Sequence, residues 1–204
     1  MALRSIALFL IAYALSGCQK YDPSIFKEGD IIFQTSTSSQ SEAIQRATHS
    51  QYSHMGVLVR DGSGLYVLEA VQPVKLTPIS KWIERGKSHH FVVKRLRDAK
   101  RTLTEVALSR FREVGKKYLG KNYDPYFEWS DDRLYCSELV WKIYKHAFGI
   151  ELGNLQRGSD FDFSDPVVKA KMRERFPKGF PPGEIVISPE QMLRSSVLET
   201  VHQE

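Results

Sequence analysis

The 204-residue chain carries 29 Lys and Arg against 24 Asp and Glu, for a net charge of +5, with 42% hydrophobic and 26% charged residues. That length supports one domain burying roughly 70% of its unfolded surface without a metal or disulfide staple, and the composition excludes a disordered, collagenous or polytopic membrane chain. Cys18 and Cys136 are too few for a disulfide scaffold or an all-cysteine zinc site, and the one basic cluster (Lys94, Arg95, Arg97, Lys100, Arg101) accompanies no nucleic-acid motif, so no nucleic-acid partner is expected.

The first residues read as an address. Arg4 is the only charge before Lys20, and the apolar run from Ser5 to Leu15 is too short for a membrane-spanning helix of about 20 residues. It ends in Leu15-Ser16-Gly17-Cys18, which resembles a bacterial lipobox: the thiol takes a diacylglyceryl group and the chain is cut just before it. The alternative is an ordinary cleavage site with an incidental cysteine. The expected organisation is a signal peptide over residues 1–17, a tether lipidated at Cys18 over 18–27, and one domain over 28–204. Gln19 in place of Asp points to the outer membrane of a bacterial envelope, facing the periplasm, with the membrane as a partner through the lipid.

Along the remaining chain, Gly29 to Gln34 forms a compact strand. Ser39-x-x-Glu42 reads as a capping box opening a helix through Ile44 and Ala47. Two strand-like runs, His54 to Arg60 and Leu65 to Val71, flank Asp61-Gly62-Ser63-Gly64, a hairpin signal. A helical turn surrounds Trp82, and Phe91 to Leu96 is another strand. Apolar residues at 103, 106, 107, 111, 114 and 118 mark a helix ending near Gly120. An aromatic, acidic loop (122–132) precedes a second long helix, Cys136 to Phe148, stopped by Gly149. Pro166 to Phe176 is a polar helix and Glu184 to Ile187 a short strand. Strands and helices without βαβ alternation predict an α+β fold.

With Cys18 committed to the anchor, Cys136 is the only cysteine left, and a lone cysteine is more often an inert buried residue than a nucleophile. Its place in the first turn of a helix raises its standing, because free N–H groups and the dipole there stabilise a thiolate and an oxyanion. A thiolate needs a base, and the base an orienter. Hairpin pairing about the Gly62/Ser63 midpoint makes opposed residue numbers sum to 125 and puts His54 and Glu69 on one sheet face as diagonal neighbours. An acid inside the apolar run Leu65 to Val71 needs a partner, and His54 is the expected one, with few others at hand. His49 reads as a surface or loop residue, His89 and His90 precede a strand with no acid or thiol at useful spacing, His146 sits near the C-terminal end of a helix and His202 in the tail; no metal-ligand pair spacing is visible, so neither a metal nor a cofactor is expected.

Together Gly29-Asp-Ile-Ile-Phe33, Tyr52-Ser-His-Met-Gly56, Leu68-Glu-Ala-Val71 and Tyr135-Cys-Ser-Glu-Leu-Val-Trp141 resemble the YaeF/YiiX group of permuted NlpC/P60 papain-like cysteine enzymes, over about residues 26–188. The resemblance implies a circularly permuted papain-like fold, with Cys136 as nucleophile, His54 as general base and Glu69 as the polar third member. The expected activity is a thiol peptidase or amidase cleaving a peptidoglycan-type peptide or amino-acid amide. Asp124 and Asp131, with Glu128 and Asp132, are candidates to receive a substrate ammonium, and Tyr52 and Tyr135 to shape the pocket. Two alternatives remain: a lipid acyl hydrolase or acyltransferase resembling lecithin:retinol acyltransferase, favoured by a long apolar groove beside Cys136, and a non-catalytic envelope binding protein.

Overall fold

The computed structural model describes residues 21–203. Its strands are β1 (Ile31–Gln34), β2 (His54–Asp61), β3 (Gly64–Glu69), β4 (Lys75–Pro78), β5 (Phe91–Leu96), β6 (Asn122–Tyr123), β7 (Arg133–Leu134), β8 (Gln156–Arg157), β9 (Ile185–Val186) and β10 (Leu198–Gln203). Its helices are α1 (Ser41–Thr48), α2 (Ile79–Arg85), α3 (Ala99–Thr102), α4 (Glu105–Tyr118), α5 (Cys136–Phe148), α6 (Pro166–Arg175) and α7 (Pro189–Leu193). Six strands make one antiparallel sheet in the order β10-β5-β1-β2-β3-β4, while β6/β7 and β8/β9 are two-residue ladders that tie loops together. This is the expected α+β arrangement.

Both sheet faces are covered, which is why β1 and β2 read as continuous apolar runs. Ile31, Phe33, Met55, Val57, Val59 and Leu68 face a core shared with Phe111 and Val114 of α4 and Leu139, Val140 and Ile143 of α5. Ile32, Leu58, Val67, Phe91 and Val93 face a second core closed by Trp82 and Ile83 of α2 and by Phe26. Tyr21, Ile25 and Phe26 pack against that second core, so the tether expected to run to residue 27 already belongs to the fold from Tyr21 onward. Cys18 and the signal segment lie outside the described residues.

The hairpin register follows the expected midpoint: Val57 pairs with Leu68, Leu58 with Val67 and Asp61 with Gly64. The ladder stops before Val71, because β3 ends at Glu69, and His54 instead opposes Gln34 of β1. Helix α5 starts at Cys136 and ends at a left-handed Gly149 (φ 72°), a conformation that glycine adopts without a Cβ clash.

Several expectations need correction. The Ser39 capping box does not form: α1 starts at Ser41 behind Gln40, which makes no side-chain cap, and Glu42 turns along the helix to Arg46 at 2.7 Å. The helix expected from Leu103 is broken, because Thr104 caps a new helix and accepts from Ala107 N–H; Val106 then points to solvent, 83% exposed. Strands β4 and β10 and helix α7 carry too little apolar periodicity to stand out; both strands are sheet edges, where one flank meets solvent. His202, expected in a tail, sits in β10 and stacks on Phe91 at 4.8 Å.

Gly56 of β2 lies tightly against β3: a Cβ there would lie 2.4 Å from Val67 Cγ1 and 2.9 Å from the Leu68 carbonyl oxygen. Gly56→Ala is therefore expected to cost about 1–3 kcal/mol through overpacking, read as a lower urea midpoint; an unchanged midpoint would refute this close approach.

Candidate active site

The Cys136 side chain is delivered by the first turn of α5 and is nearly buried, 5% exposed. The first N–H groups of a helix have no intrahelical acceptor, so those around Cys136 are free to bind an anion. Glu138 holds this end in place. Its carboxylate accepts from Tyr135 N–H at 3.4 Å and from Ser130 N–H at 3.2 Å, and it pairs with Lys142 at 2.8 Å. Burial raises the Glu138 carboxyl to about 7 against the opposing pull of Lys142.

His54 lies at the start of β2, and its Nε2 is 2.6 Å from Glu69 Oε2. The Cys136 thiol stands against the imidazole, whose nitrogen left for it is Nδ1. Trp82 stacks over the ring at 5.9 Å and donates its indole N–H to Glu69 Oε2 at 3.0 Å. Thr77 Oγ1 donates to Glu69 Oε1 at 2.7 Å, and Arg85 Nη2 to Oε2 at 2.5 Å. Glu69 is thus fully buried with four side-chain partners, correcting the expectation that it has few besides His54. The sheet brings His54 and Glu69 to one face; β4 and α2 supply the other donors.

The charges reinforce one another. Burial works to lower the His54 pKa, but the adjacent Cys136 and Glu69 outweigh it and raise it to about 9. Burial works to raise the Glu69 pKa, but bonding to His54, Arg85 and Thr77 brings it down to about 2. The favoured state of the pair is an imidazolium held at Nε2 by the Glu69 carboxylate.

Tyr123 was not singled out from the sequence beyond its place in the aromatic loop. Its side chain is half-buried, and desolvation together with the charge at Cys136 raises its pKa well above the usual value, so the hydroxyl keeps its proton. Gln40 Nε2 donates to the Tyr123 oxygen at 2.6 Å, leaving the phenolic hydrogen free to point elsewhere. Gln40 Oε1 in turn accepts from Arg175 Nη1 at 2.5 Å. Trp82, Thr77, Arg85, Gln40 and Arg175 were also missed. They come from β4, α2, α6 and the turn before α1, and no local spacing links them.

A pocket with an empty volume of about 790 Å³, part of it open solvent, runs from Cys136 between α1 and α6, walled by Ala43, Ile44, Phe163, Val168, Met172 and Phe180. No Asp or Glu lines it, so the proposed ammonium receptors are not there. Asp124 is buried and accepts from Tyr126 N–H at 2.9 Å and Glu128 N–H at 2.6 Å, which shapes its own loop. Asp131 pairs with Lys142 at 2.8 Å and Glu128 with Arg133 at 2.5 Å, while Asp132 is exposed. Tyr135 does wall the pocket, its hydroxyl accepting from Ile187 N–H at 3.0 Å. Tyr52 is buried outside that lining against Phe33. Among the remaining histidines, His49 lies 3.5 Å from Asp162 and His146 is 3.2 Å from the Tyr118 hydroxyl, both away from the thiol.

A family model for permuted papain-like amidases, the YaeF/YiiX, C92 family, matches residues 25–202. The uncharacterized protein YiiX of Escherichia coli (strain K12) is 48% identical over 176 residues, 86% of each chain. The crystal structure of yiiX from Escherichia coli O157:H7, described as a metalloprotein, superposes with a TM-score of 0.83 at 48% identity, covering 87% of this chain and 97% of that one. The described residues here do not fit a metal: no three His, Cys, Asp or Glu converge as ligands, and the buried Glu69 carboxylate is already filled by four donors.

The two shifts set a pH window. The raised His54 pKa stabilises the fold fully below 6.5, and that contribution is lost as pH rises through about 9. The lowered Glu69 pKa stabilises it above 4.5, lost as pH falls towards about 2. The melting-temperature advantage of the wild type over Glu69→Gln is expected to be largest between pH 4.5 and 6.5 and to shrink on both sides. A difference independent of pH would show that the pair does not titrate in this way.

Proposed function

Since the chain belongs to the permuted papain-like amidase family, we propose that it is a cysteine amidase in which Cys136 is the nucleophile, His54 the general base and acid, and Glu69 the group that orients the imidazole. The observation carrying this reading is the convergence of the thiol at the head of α5 with an imidazole whose far nitrogen is held at 2.6 Å by a buried carboxylate. Cys136 Sγ attacks the amide carbonyl carbon. The N–H groups at the start of α5 and the Tyr123 hydroxyl donate to the oxyanion, as preorganised donors in a dry site do. The C–N bond breaks as His54 protonates the leaving amine. Water then attacks the thioester, losing its proton to His54, and releases the acid with the thiol restored.

A second reading, hydrolysis or transfer of a lipid acyl ester, is favoured by the apolar wall of the pocket beside Cys136. The absence of carboxylates from that wall weighs against the cell-wall peptide ammonium considered from the sequence. The lipobox-like Leu15-Ser16-Gly17-Cys18 supports a lipid-anchored protein of the bacterial envelope, facing the periplasm from the outer membrane. Cys18→Ser is then expected to release soluble protein or block processing; unchanged membrane fractionation and mature mass would rule the anchor out.

Cys136→Ala is expected to abolish amine release from acyl amides, a loss of roughly 10⁴-fold or more. Glu69→Gln is expected to lower turnover by about 10–10³-fold and to add nothing measurable to Cys136→Ala, because members of a catalytic unit are not additive. Far-UV circular dichroism of each variant separates catalysis from folding. Wild-type turnover in a folded Glu69→Gln protein would make Glu69 purely structural.

A further inference from the structure

We infer that the substrate is an N-acyl amino acid: its linear acyl chain fills the pocket between α1 and α6, its scissile amide lies at Cys136, and its carboxylate is received by Arg175. The inference rests on the amidase reading and adds the substrate class to it. Three observations meet in one place.

The first is the wall. Ala43 and Ile44 of α1, Val168 and Met172 of α6, and Phe163 and Phe180 of the flanking loops present an apolar surface that continues to Cys136. Enclosed apolar walls favour a ligand that removes apolar surface from water. The aromatic side is braced by its own edge contacts, Phe163 to Phe180 at 6.0 Å and Phe176 to Phe180 at 4.9 Å, so the space is held open by packing among the rings.

The second is the charge. Arg175 lines the same pocket, and its hydrogen bonds go to neutral groups, Gln40 Oε1 at 2.5 Å and the Pro125 carbonyl at 3.2 Å. The other lining cation, Lys171, is paired with Glu174 at 2.7 Å. With no carboxylate paired to it among the described residues, this half-buried guanidinium keeps donors free for a planar anion, the geometry it binds best.

The third is the spacing. Arg175, Gln40 and Cys136 line one pocket, and Gln40 alone bridges Arg175 to the Tyr123 hydroxyl. A carboxylate on the carbon next to the scissile nitrogen is correspondingly close to the amide. A free fatty acid would place its charge on the reacting carbon itself, and a simple acyl amide would leave Arg175 without its partner. Chemically, the Cys136 sulfur bonds to the acyl carbon, the C–N bond breaks, the amino acid leaves with a proton from His54, and water frees the fatty acid from the thioester.

The test uses the mature protein with N-butanoylglycine, N-dodecanoylglycine and N-dodecanoylglycinamide, plus direct binding of N-dodecanoylglycine to Cys136→Ala by calorimetry. kcat/KM is expected to rise up to about fourfold per added methylene until the pocket is full. N-dodecanoylglycine is expected to exceed its glycinamide analogue at least tenfold. Arg175→Gln should erase that preference and Arg175→Lys restore part of it. Ile44→Trp, which fills the wall from α1 rather than from the helix that carries Arg175, should move the optimum to shorter chains.

Equal turnover of the butanoyl and dodecanoyl substrates would overturn the acyl pocket while leaving the amidase reading intact. A preference for carboxylate that survives Arg175→Gln in a folded protein would overturn the anion site. Chain-dependent binding to Cys136→Ala that weakens with Arg175→Gln, without hydrolysis by wild type, would overturn the amidase reading and retain the pocket. Neither binding nor hydrolysis would overturn both.

Discussion

The Glu69 carboxylate is the interaction on which the rest of the site depends. It is fully buried, and an ionised carboxylate in that position is costly unless its lone pairs are filled. They are filled by His54, Thr77, Trp82 and Arg85, which come from β2, β4 and α2. The same charge that needs these donors fixes the imidazole, keeps it charged and holds it against the thiol. Removing any one donor would loosen the orientation of the ring as well as the packing of α2 on the sheet. That coupling explains how a short helix and an edge strand, both weak elements alone, come to hold the His54–Glu69 pair.

The head of α5 is held by a second buried acid with a different task. Glu138 ties the helix start to the loop before it through the N–H groups of Ser130 and Tyr135, and Lys142 joins it to Asp131. Asp124 fixes the other end of that loop through the N–H groups of residues 126 and 128. A loop rich in acids resembles a ligand-binding wall in sequence, but here the acids satisfy the backbone of the loop and so place Tyr123 and Cys136. Buried backbone donors must be satisfied somewhere, and in a loop this short of regular structure the carboxylates do it.

The pocket adds a contrast. Its walls come from α1 and, more than a hundred residues further along the chain, from α6 and the aromatic segments on either side of it, and none of these is strongly apolar by itself. Half of the α6 residues are charged, with Val168 and Met172 on the inner side and Arg175 at its end. The charged and hydrogen-bonding partners of His54 therefore come from the sheet side of the site, and the apolar walls of the pocket from the α1/α6 side.

Local physics was enough for much of the fold. Period 3.6 and the Gly149 stop define α5 over Cys136–Phe148, Asp165 and Pro166 open α6, and the Gly-rich turn sets the hairpin register that puts His54 and Glu69 on one face. These depend on near neighbours, so the sequence alone determined them, and with them the His54, Glu69 and Cys136 constellation and the family resemblance. Only tertiary structure decided the four-donor shell of Glu69, the occupied state of Asp124 and Asp131, the break of the helix at Thr104, the strands β4 and β10, and the apolar pocket with its unpaired guanidinium. Each of these depends on which distant groups share a buried volume. Whether a carboxylate is a ligand or a brace, and whether a weak strand has an edge to join, is set by the partners that burial brings within hydrogen-bonding distance, and no local pattern in the chain encodes them.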